Sequence, residues 1–448
     1  MVLTLLLGGP AHAFCGTFVG GAGADLYNNA SQVALVRQGD QTTLTMQNDF
    51  EGDLAEFAVV VPVPTVLTQA DVRVVDPAVF DRLDAYSSPR LVEYTCDGLY
   101  PEPPPREPLF GCRNRDDSTW GTADFAAMED GGVQVETQFI VGEYEVVVLS
   151  ADESLAMLQW LSDQGYAVSP ATASMIQEYL DAGSYFFAAK VFQDRMPAGQ
   201  DELSPLQFTY TAESFGLPIR LGTVNAFDAQ DLIVYALTEL DAGQLGISNY
   251  PQAELDSVCL WQDDDWDDDF GAFYSDRLDT AFSGDEAHWV VEYGWQLTQS
   301  GMKCDPCPPT VGPDPLPISD VATLGFAWEG SVDTGWWGPS PELHFTRLHM
   351  RYTPEQAVQD LTLYTSGITE NTQQRYVRYE PYLEYEFPLC DGGWVDDPGT
   401  CADQDRAYKS RMKYWDEQGG SPAATARAGL VVGLLGLMGL FAVARRRV

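Results

Sequence analysis

Residues 428–444 read AGLVVGLLGLMGLFAVA, with no polar or charged side chain, and Arg445, Arg446 and Arg447 follow at once. No other feature restricts the fold of this chain as strongly. A helix needs roughly 17–25 apolar residues to cross a bilayer, and a cluster of arginines stays on the cytoplasmic side. The expectation is one transmembrane helix at 428–444, a cytoplasmic tail at 445–448, and a main body outside the cytoplasm, reached through a linker at 416–427. The competing reading, a buried helix of a soluble domain, has to place three arginines beside a core. Gly429 and Gly433 have the spacing that lets two such helices pack closely, although glycine is common in membrane helices anyway.

The opposite end agrees with export. Residues 1–13, MVLTLLLGGPAHA, form a short apolar core that Pro10 breaks ahead of an A-x-A site, so cleavage is expected before Phe14. The usual basic n-region is missing. Phe14 is too bulky for a lipobox, which argues against acylation of Cys15. The C-terminal tail also resembles bacterial protein-sorting tails, in which a processing protease cuts ahead of the span and attaches the protein to the surface. Gly419, Gly420 and Ser421 sit where tails with a glycine pair carry their recognition element, while Arg427 departs from that pattern and neither an LPxTG nor a cysteine sorting motif is present.

Between these ends 45% of the residues are hydrophobic, enough for a real core, and 24 Lys and Arg against 67 Asp and Glu give a net charge of −43. Such a body is repelled by phosphate backbones, so nucleic acid is excluded as a partner. Lysine is limited to Lys190, Lys303, Lys409 and Lys413, a balance that suits salty surroundings that screen self-repulsion. The eight cysteines are Cys15, Cys96, Cys112, Cys259, Cys304, Cys307, Cys390 and Cys401. An even set on an exported chain points to disulfides. Connectivity stays open. The simplest assignment closes short loops, Cys96 with Cys112 and Cys390 with Cys401, leaving Cys304 with Cys307 and Cys15 with Cys259.

The pattern predicts an α+β, β-dominant fold with hairpin-led sheets and a two-helix insertion near 150–182. Strands are read at 32–37 and 42–48 around a Gly39–Asp40 turn, at 57–63, 133–141, 144–149, 185–192, 207–210, 219–224, 231–237, 324–328 and 344–352. Ser150 and Glu153 have capping-box spacing for a helix running to Gln164, with Leu155, Leu158 and Leu161 on one face. Pro170 opens a second helix that runs to about Asp181. An N-terminal α+β domain at 14–270 and a C-terminal β-rich domain at 271–415 are expected, divided at the DDDWDDD run of 263–269.

Residues 14–94, from FCGTFVGGAGADLYNNASQVALVRQGDQTTLTMQNDFEG to VFDRLDAYSSPRLVEY, resemble the bacterial domain of unknown function 2330 family. LPIRL at 217–221, CDPC at 304–307 and FTRLHMRYTPE at 345–355 are similar to the same family in the same order. The resemblance implies an exported envelope protein and carries no activity, substrate or catalytic residue.

Candidate chemistry is sparse. Cys304 and Cys307 have redox spacing, but Pro308 and Pro309 remove the helix that would stabilise a thiolate, so a structural bridge is expected and a CxxC oxidoreductase is the alternative. Calcium is considered at Asp263, Asp264, Asp265, Asp267, Asp268 and Asp269, and around Asp391, Asp396, Asp397, Asp403 and Asp405. Neither group matches an EF-hand or a nonapeptide repeat, and a solvated face is expected. His344 and His349, five apart in a β run, fall on opposite faces and in no metal-ligand spacing. Trp336 and Trp337 suggest a groove, although aromatics in a β-rich body more often fill a core. No GxSxG elbow, Walker loop or dinucleotide fingerprint occurs. No cofactor and no catalytic residue is expected. The partners are the membrane, through the C-terminal helix, and a possible sorting protease, with any extracellular partner left open.

Overall fold

A computed structural model of the protein describes residues 17–21, 30–48, 57–94, 133–151, 154–163, 166–167, 170–192, 195–196, 203–225, 229–255, 259–261, 270–297, 316–328 and 341–379. The first hairpin shows how local chemistry sets the pattern. Ala30–Gln38 (β2) and Gln41–Asn48 (β3) pair antiparallel through a tight turn in which Gly39 takes a φ of 56°, a region that glycine enters without penalty. Both faces of β2 are buried, Val33 and Leu35 on one and Ala34 and Val36 on the other, so this hairpin lies between two layers.

Its sheet has eight strands. Beside the hairpin stand Val72–Val74 (β5), Leu206–Thr211 (β11), Gln230–Glu239 (β13), His288–Leu297 (β16), Leu343–Tyr352 (β17) and Thr372–Gln373 (β19), in the order β19-β16-β17-β13-β2-β3-β11-β5. β13 runs parallel to β2, and the other neighbours are antiparallel. Strands from both sides of residue 270 thus share one sheet.

A six-stranded sheet faces it, built from Thr17–Gly21 (β1), Phe57–Val63 (β4), Val133–Val141 (β7), Tyr144–Ala151 (β8), Tyr166–Ala167 (β9) and Tyr185–Val191 (β10). Val59, Val61, Val146, Val148, Phe187 and Ala189 from this sheet meet Val33, Leu35, Leu44, Phe208, Leu232 and Val234 from the other. The short sheet of Gly216–Leu217 (β12), Leu245–Ile247 (β14) and Leu361–Thr365 (β18) adds Leu217, Leu245, Ile247, Leu361 and Leu363 to the same core.

Helices cover both outer faces. Ser154–Asp163 (α2) and Pro170–Asp181 (α3) pack Met157, Leu161, Ile176 and Tyr179 on Val60, Leu149 and Phe186 of the six-stranded sheet. Ala78–Ser87 (α1) and Ile318–Thr323 (α5) lay Val79, Phe80, Leu83, Tyr86 and Val321 over Ala34, Tyr235, Tyr293 and Phe345 of the eight-stranded sheet, and Arg82 of α1 makes a two-pronged pair with Asp320 of α5 at 2.5 and 2.9 Å. Phe270–Ala281 (α4) lies on the same side. A small parallel sheet of Arg90–Tyr94 (β6), Cys259–Trp261 (β15) and Arg375–Tyr379 (β20) completes the described part. The result is β-dominated α+β, as the sequence pattern indicates.

Four local expectations change. Ser150 is no helix cap: it belongs to β8, pairs with Gln134, and donates its hydroxyl to Glu136 at 2.7 Å. Leu155, 69% exposed, lies off the buried face of α2, which Met157 and Leu161 supply, because a spacing of three drifts around a helix of 3.6 residues per turn. Residues 219–224 and 324–328 are not strands. The first stretch enters a short 3-10 helix, Leu221–Asn225, and the second is a turn after α5 that buries Leu324 and Phe326.

Asp360 explains the change at residues 219–224. One carboxylate oxygen, Oδ1, accepts from the Ile219 and Arg220 amides at 2.9 and 3.1 Å and from the Tyr179 hydroxyl at 2.8 Å, so amides that a ladder would use are taken by a side chain. Asp360→Ala is expected to lower unfolding free energy by about 1–3 kcal/mol, because three donors lose their acceptor, whereas Asp360→Asn, which keeps an oxygen there, costs less. Urea denaturation checks this, and equal losses in both variants would count against it.

Candidate functional site

β17 alternates strictly. Leu348, Met350 and Tyr352 point into the core between the sheets, and Leu343, Phe345, Arg347, His349 and Arg351 stand on the helix-covered face. His344 and His349 do lie on opposite faces. His344 is fully buried, and burial lowers its pKa to about 4. His349 is the centre of a charged cluster.

A bulge in β16 builds that cluster. Val291 pairs with Leu348 and Tyr293 with Arg347, which leaves Glu292 as the extra residue, its carbonyl accepting from the Gln374 amide at 2.8 Å. Bulges re-aim side chains, and this one turns the Glu292 carboxylate onto the helix-covered face between two cations. Oε2 accepts from Arg347 Nε at 2.5 Å, while Oε1 meets His349 Nδ1 at 2.7 Å and accepts from the Tyr274 hydroxyl of α4 at 2.6 Å.

The chain of charges continues in both directions. His349 Nε2 stands 3.0 Å from Oδ1 of Asp231, which also receives Arg351 through two bonds at 2.7 and 2.9 Å. Arg351 also pairs with Asp279 on α4. At the other end Arg347 Nη1 reaches Asp84 of α1 at 2.6 Å, and the guanidinium lies over the Tyr235 ring, 5.3 Å from its centre. Asp84, Arg347, Glu292, His349, Asp231, Arg351 and Asp279 thus alternate in sign from one covering helix to the other.

Each interior charge is held by its neighbours. Burial pushes the Glu292 carboxyl up, but Arg347 and His349 outweigh this and hold it well below the usual carboxylate range. Burial acts the same way on Asp231, and its bonds to His349 and Arg351 keep its pKa lowered. Burial lowers His349, yet Glu292 and Asp231 raise it to about 9. Burial and the Glu292 charge push the Tyr274 phenol well above its ordinary value. Buried charges are tolerated in this way, paired and hydrogen-bonded on all sides. The arrangement ties α1 and α4 to the sheet and fixes an imidazolium between two carboxylates. Among the described residues no group of three His, Cys, Asp or Glu side chains is arranged to hold a metal.

Most residues singled out from the sequence lie outside the described residues: Cys15, Cys96, Cys112, Cys304, Cys307, Cys390, Cys401, the aspartates of 263–269 and of the 391–405 region, Trp336, Trp337, Gly419, Gly420, Ser421, the run 428–444 and Arg445 to Arg447. Cys259 opens β15, opposite Val377 of β20. Among the described residues no helix is long and apolar enough to cross a membrane. The charge chain was missed by motif reasoning. Its one sequence signal is the R-x-H-x-R alternation of β17, which continues an apolar L-x-F stripe and so marks a covered face.

Two packed sheets flanked by helices, with a chain of alternating charges under one helical layer, define an α+β protein whose buried polar groups serve first to join its layers. The chain belongs to the family DUF2330, uncharacterized protein conserved in bacteria, whose model matches residues 9–364. No curated protein and no solved structure matches it.

Proposed function

We propose that this protein is an exported bacterial envelope component, non-catalytic, stabilised by disulfides, and tethered to the cytoplasmic membrane or passed to the surface through its C-terminal tail. The observation that carries the reading is the apolar run 428–444 ending in Arg445, Arg446 and Arg447. The export-type segment at 1–13, the even cysteine set and family membership support it. The charge chain is consistent with a scaffold role, since its cations and carboxylates are engaged with one another.

Protease added to intact spheroplasts tests the topology. The body is expected to be digested, and neutral replacements of the three arginines to weaken retention. Full protection of residues 263–269 would refute the topology. Intact mass of the recovered protein separates a plain anchor from a sorted form, which ends ahead of residue 428.

Thiol chemistry tests the class. Mass spectrometry of unreduced protein should find the cysteines paired, and Cys390→Ser should cost about 2–4 kcal/mol, the usual contribution of an unstrained bridge. The CDPC spacing favours one second reading, an extracytoplasmic thiol-disulfide oxidoreductase. A bridge between Cys304 and Cys307 that is reduced ahead of all others, with turnover of a test disulfide, would establish that reading instead.

A further inference from the structure

α4 buries less of itself than α1, the other long helix on this side of the sheet. Most of its residues are half-buried or exposed, Leu278 is its one buried residue, and Phe282 just beyond its end packs with Leu278 on Val290. At its start Phe270, Phe273 and Tyr274 surround Tyr376, with ring centres 5.3–5.9 Å apart. Two of its polar ties to the eight-stranded sheet are the Tyr274 bond to Glu292 and the Asp279 pair with Arg351, and both partners are links of the charge chain. Elements with few buried contacts are the first to open locally.

The centre of that chain has a particular requirement. Both ring nitrogens of His349 face carboxylate oxygens, at 2.7 and 3.0 Å. A carboxylate only accepts, so both contacts are attractive only while both nitrogens carry hydrogen, and a neutral imidazole has one N–H. Loss of the proton turns one contact into a lone pair facing a carboxylate. It also changes the balance of the chain: four acids, Asp84, Glu292, Asp231 and Asp279, against Arg347, His349 and Arg351 give −4 + 3 = −1, and against the two arginines alone −4 + 2 = −2.

We propose that α4 is a proton-operated latch: the doubly bonded His349 ring keeps Glu292 and, through Asp231, Arg351 placed to hold Tyr274 and Asp279 of α4 on the sheet, and transfer of one proton from that ring to solvent base releases it. The groups facing His349 agree on the direction. Asp231 of β13 and Glu292 of β16 favour the charged ring, as do Asp84 of α1 and Asp279 of α4 at longer range. Arg347 and Arg351 on its own strand oppose it, each already paired with a carboxylate. Val290 lies opposite on β16, and His288, opposite Arg351, has its ring on the Glu286 carbonyl. From α4 come the neutral Tyr274 and, just past its end, the Phe282 ring 5.8 Å from the imidazole. Arg277 of α4 lies instead over Phe273 and Tyr376.

The sign follows from linkage. The folded pKa, about 9, lies above the unfolded value, so the latch is fully closed below the ordinary histidine range, weakens from there, and is lost as pH rises through 9. Hydrogen exchange on the full chain, corrected for the intrinsic pH dependence of exchange, reads it directly. Amides of residues 270–281 should lose protection by up to about tenfold per pH unit between the ordinary histidine value, about 6.5, and about 9, and level off above it, while β2 and β13 keep theirs. In His349→Gln, α4 should be unprotected at pH 7 and indifferent to further alkalinity. NMR of histidine-labelled wild-type protein supplies a check independent of that variant, since the His349 ring should be cationic at pH 7 and titrate together with α4 opening. A flat α4 profile to pH 10.5, opening of β13 together with α4, a His349→Gln profile like that of wild type, or a neutral His349 ring at pH 7 would each overturn the proposal.

Discussion

Glu292→Ala is expected to lower unfolding free energy by about 3–5 kcal/mol, the range found when one member of a buried ion pair is removed and its partners remain. Three donors meet at this carboxylate, Arg347 Nε, His349 Nδ1 and the Tyr274 hydroxyl, and its deletion removes the acceptor each has there, leaving Arg347 with Asp84 and His349 with Asp231. Arg347 is 5% exposed, so its charge cannot turn to water without opening the helical layer. Equilibrium urea unfolding at pH 7 measures the loss. The acid limb provides a second reading. The Glu292 carboxyl is held far below its unfolded value, so its contribution is present above pH ~4.5 and is lost as pH falls towards its folded pKa. Wild type should therefore lose stability with acid more steeply than Glu292→Ala. A loss below about 1 kcal/mol with parallel acid limbs would mean that the charge chain contributes little to joining the layers.

A loss of similar size is expected on the other face of the sheet, from a different physical source. Phe187 of β10 is fully buried and meets Phe208 of β11 with ring centres 5.5 Å apart, one ring from each sheet. Phe187→Ala removes the apolar area that joins the sheets and leaves a cavity in a close-packed interior, at a cost of about 3–5 kcal/mol. Phe187→Leu keeps most of the volume and should cost less than about 1.5 kcal/mol. Unlike the Glu292 effect, this loss should not vary between pH 4 and pH 9, since no titrating group is involved. A comparable loss in both Phe187 variants, or a strong pH dependence, would argue that this interior is not packed as described.

Much of the local structure was legible in the residues because its causes are local. Alternation in QVALVR and TTLTMQN with Gly39 between them identifies the β2–β3 hairpin, and the apolar run at 57–63 is β4 residue for residue. Pro170 after Ser169 marks the start of α3, and the β-α-α-β insertion returns to pair β10 with β8. Where local cues misled, a distant group had taken over. Ser150 has capping-box spacing, but a place in the β8 ladder and the Glu136 carboxylate claim it. Residues 219–224 are as apolar as a strand, but Asp360, far along the chain, holds their first two amides.

The candidate site divides along the same line. Arg347, His349 and Arg351 were readable as one face of one strand, because period-two geometry is a property of the backbone. Their partners were not, because Asp231, Glu292, Asp84 and Asp279 come from four other segments brought together by an antiparallel pairing, a bulge and two helix placements. By itself the sequence determined which segments alternate, where turns must fall, how strongly acidic the body is, and the apolar run that ends in three arginines, since each of these depends on side chains close together along the chain. Which strands adjoin, that residues on both sides of 270 share one sheet, and that a histidine sits as a cation between two carboxylates were decided only by tertiary structure. Burial and strand pairing are properties of surfaces meeting, and no single segment contains both surfaces.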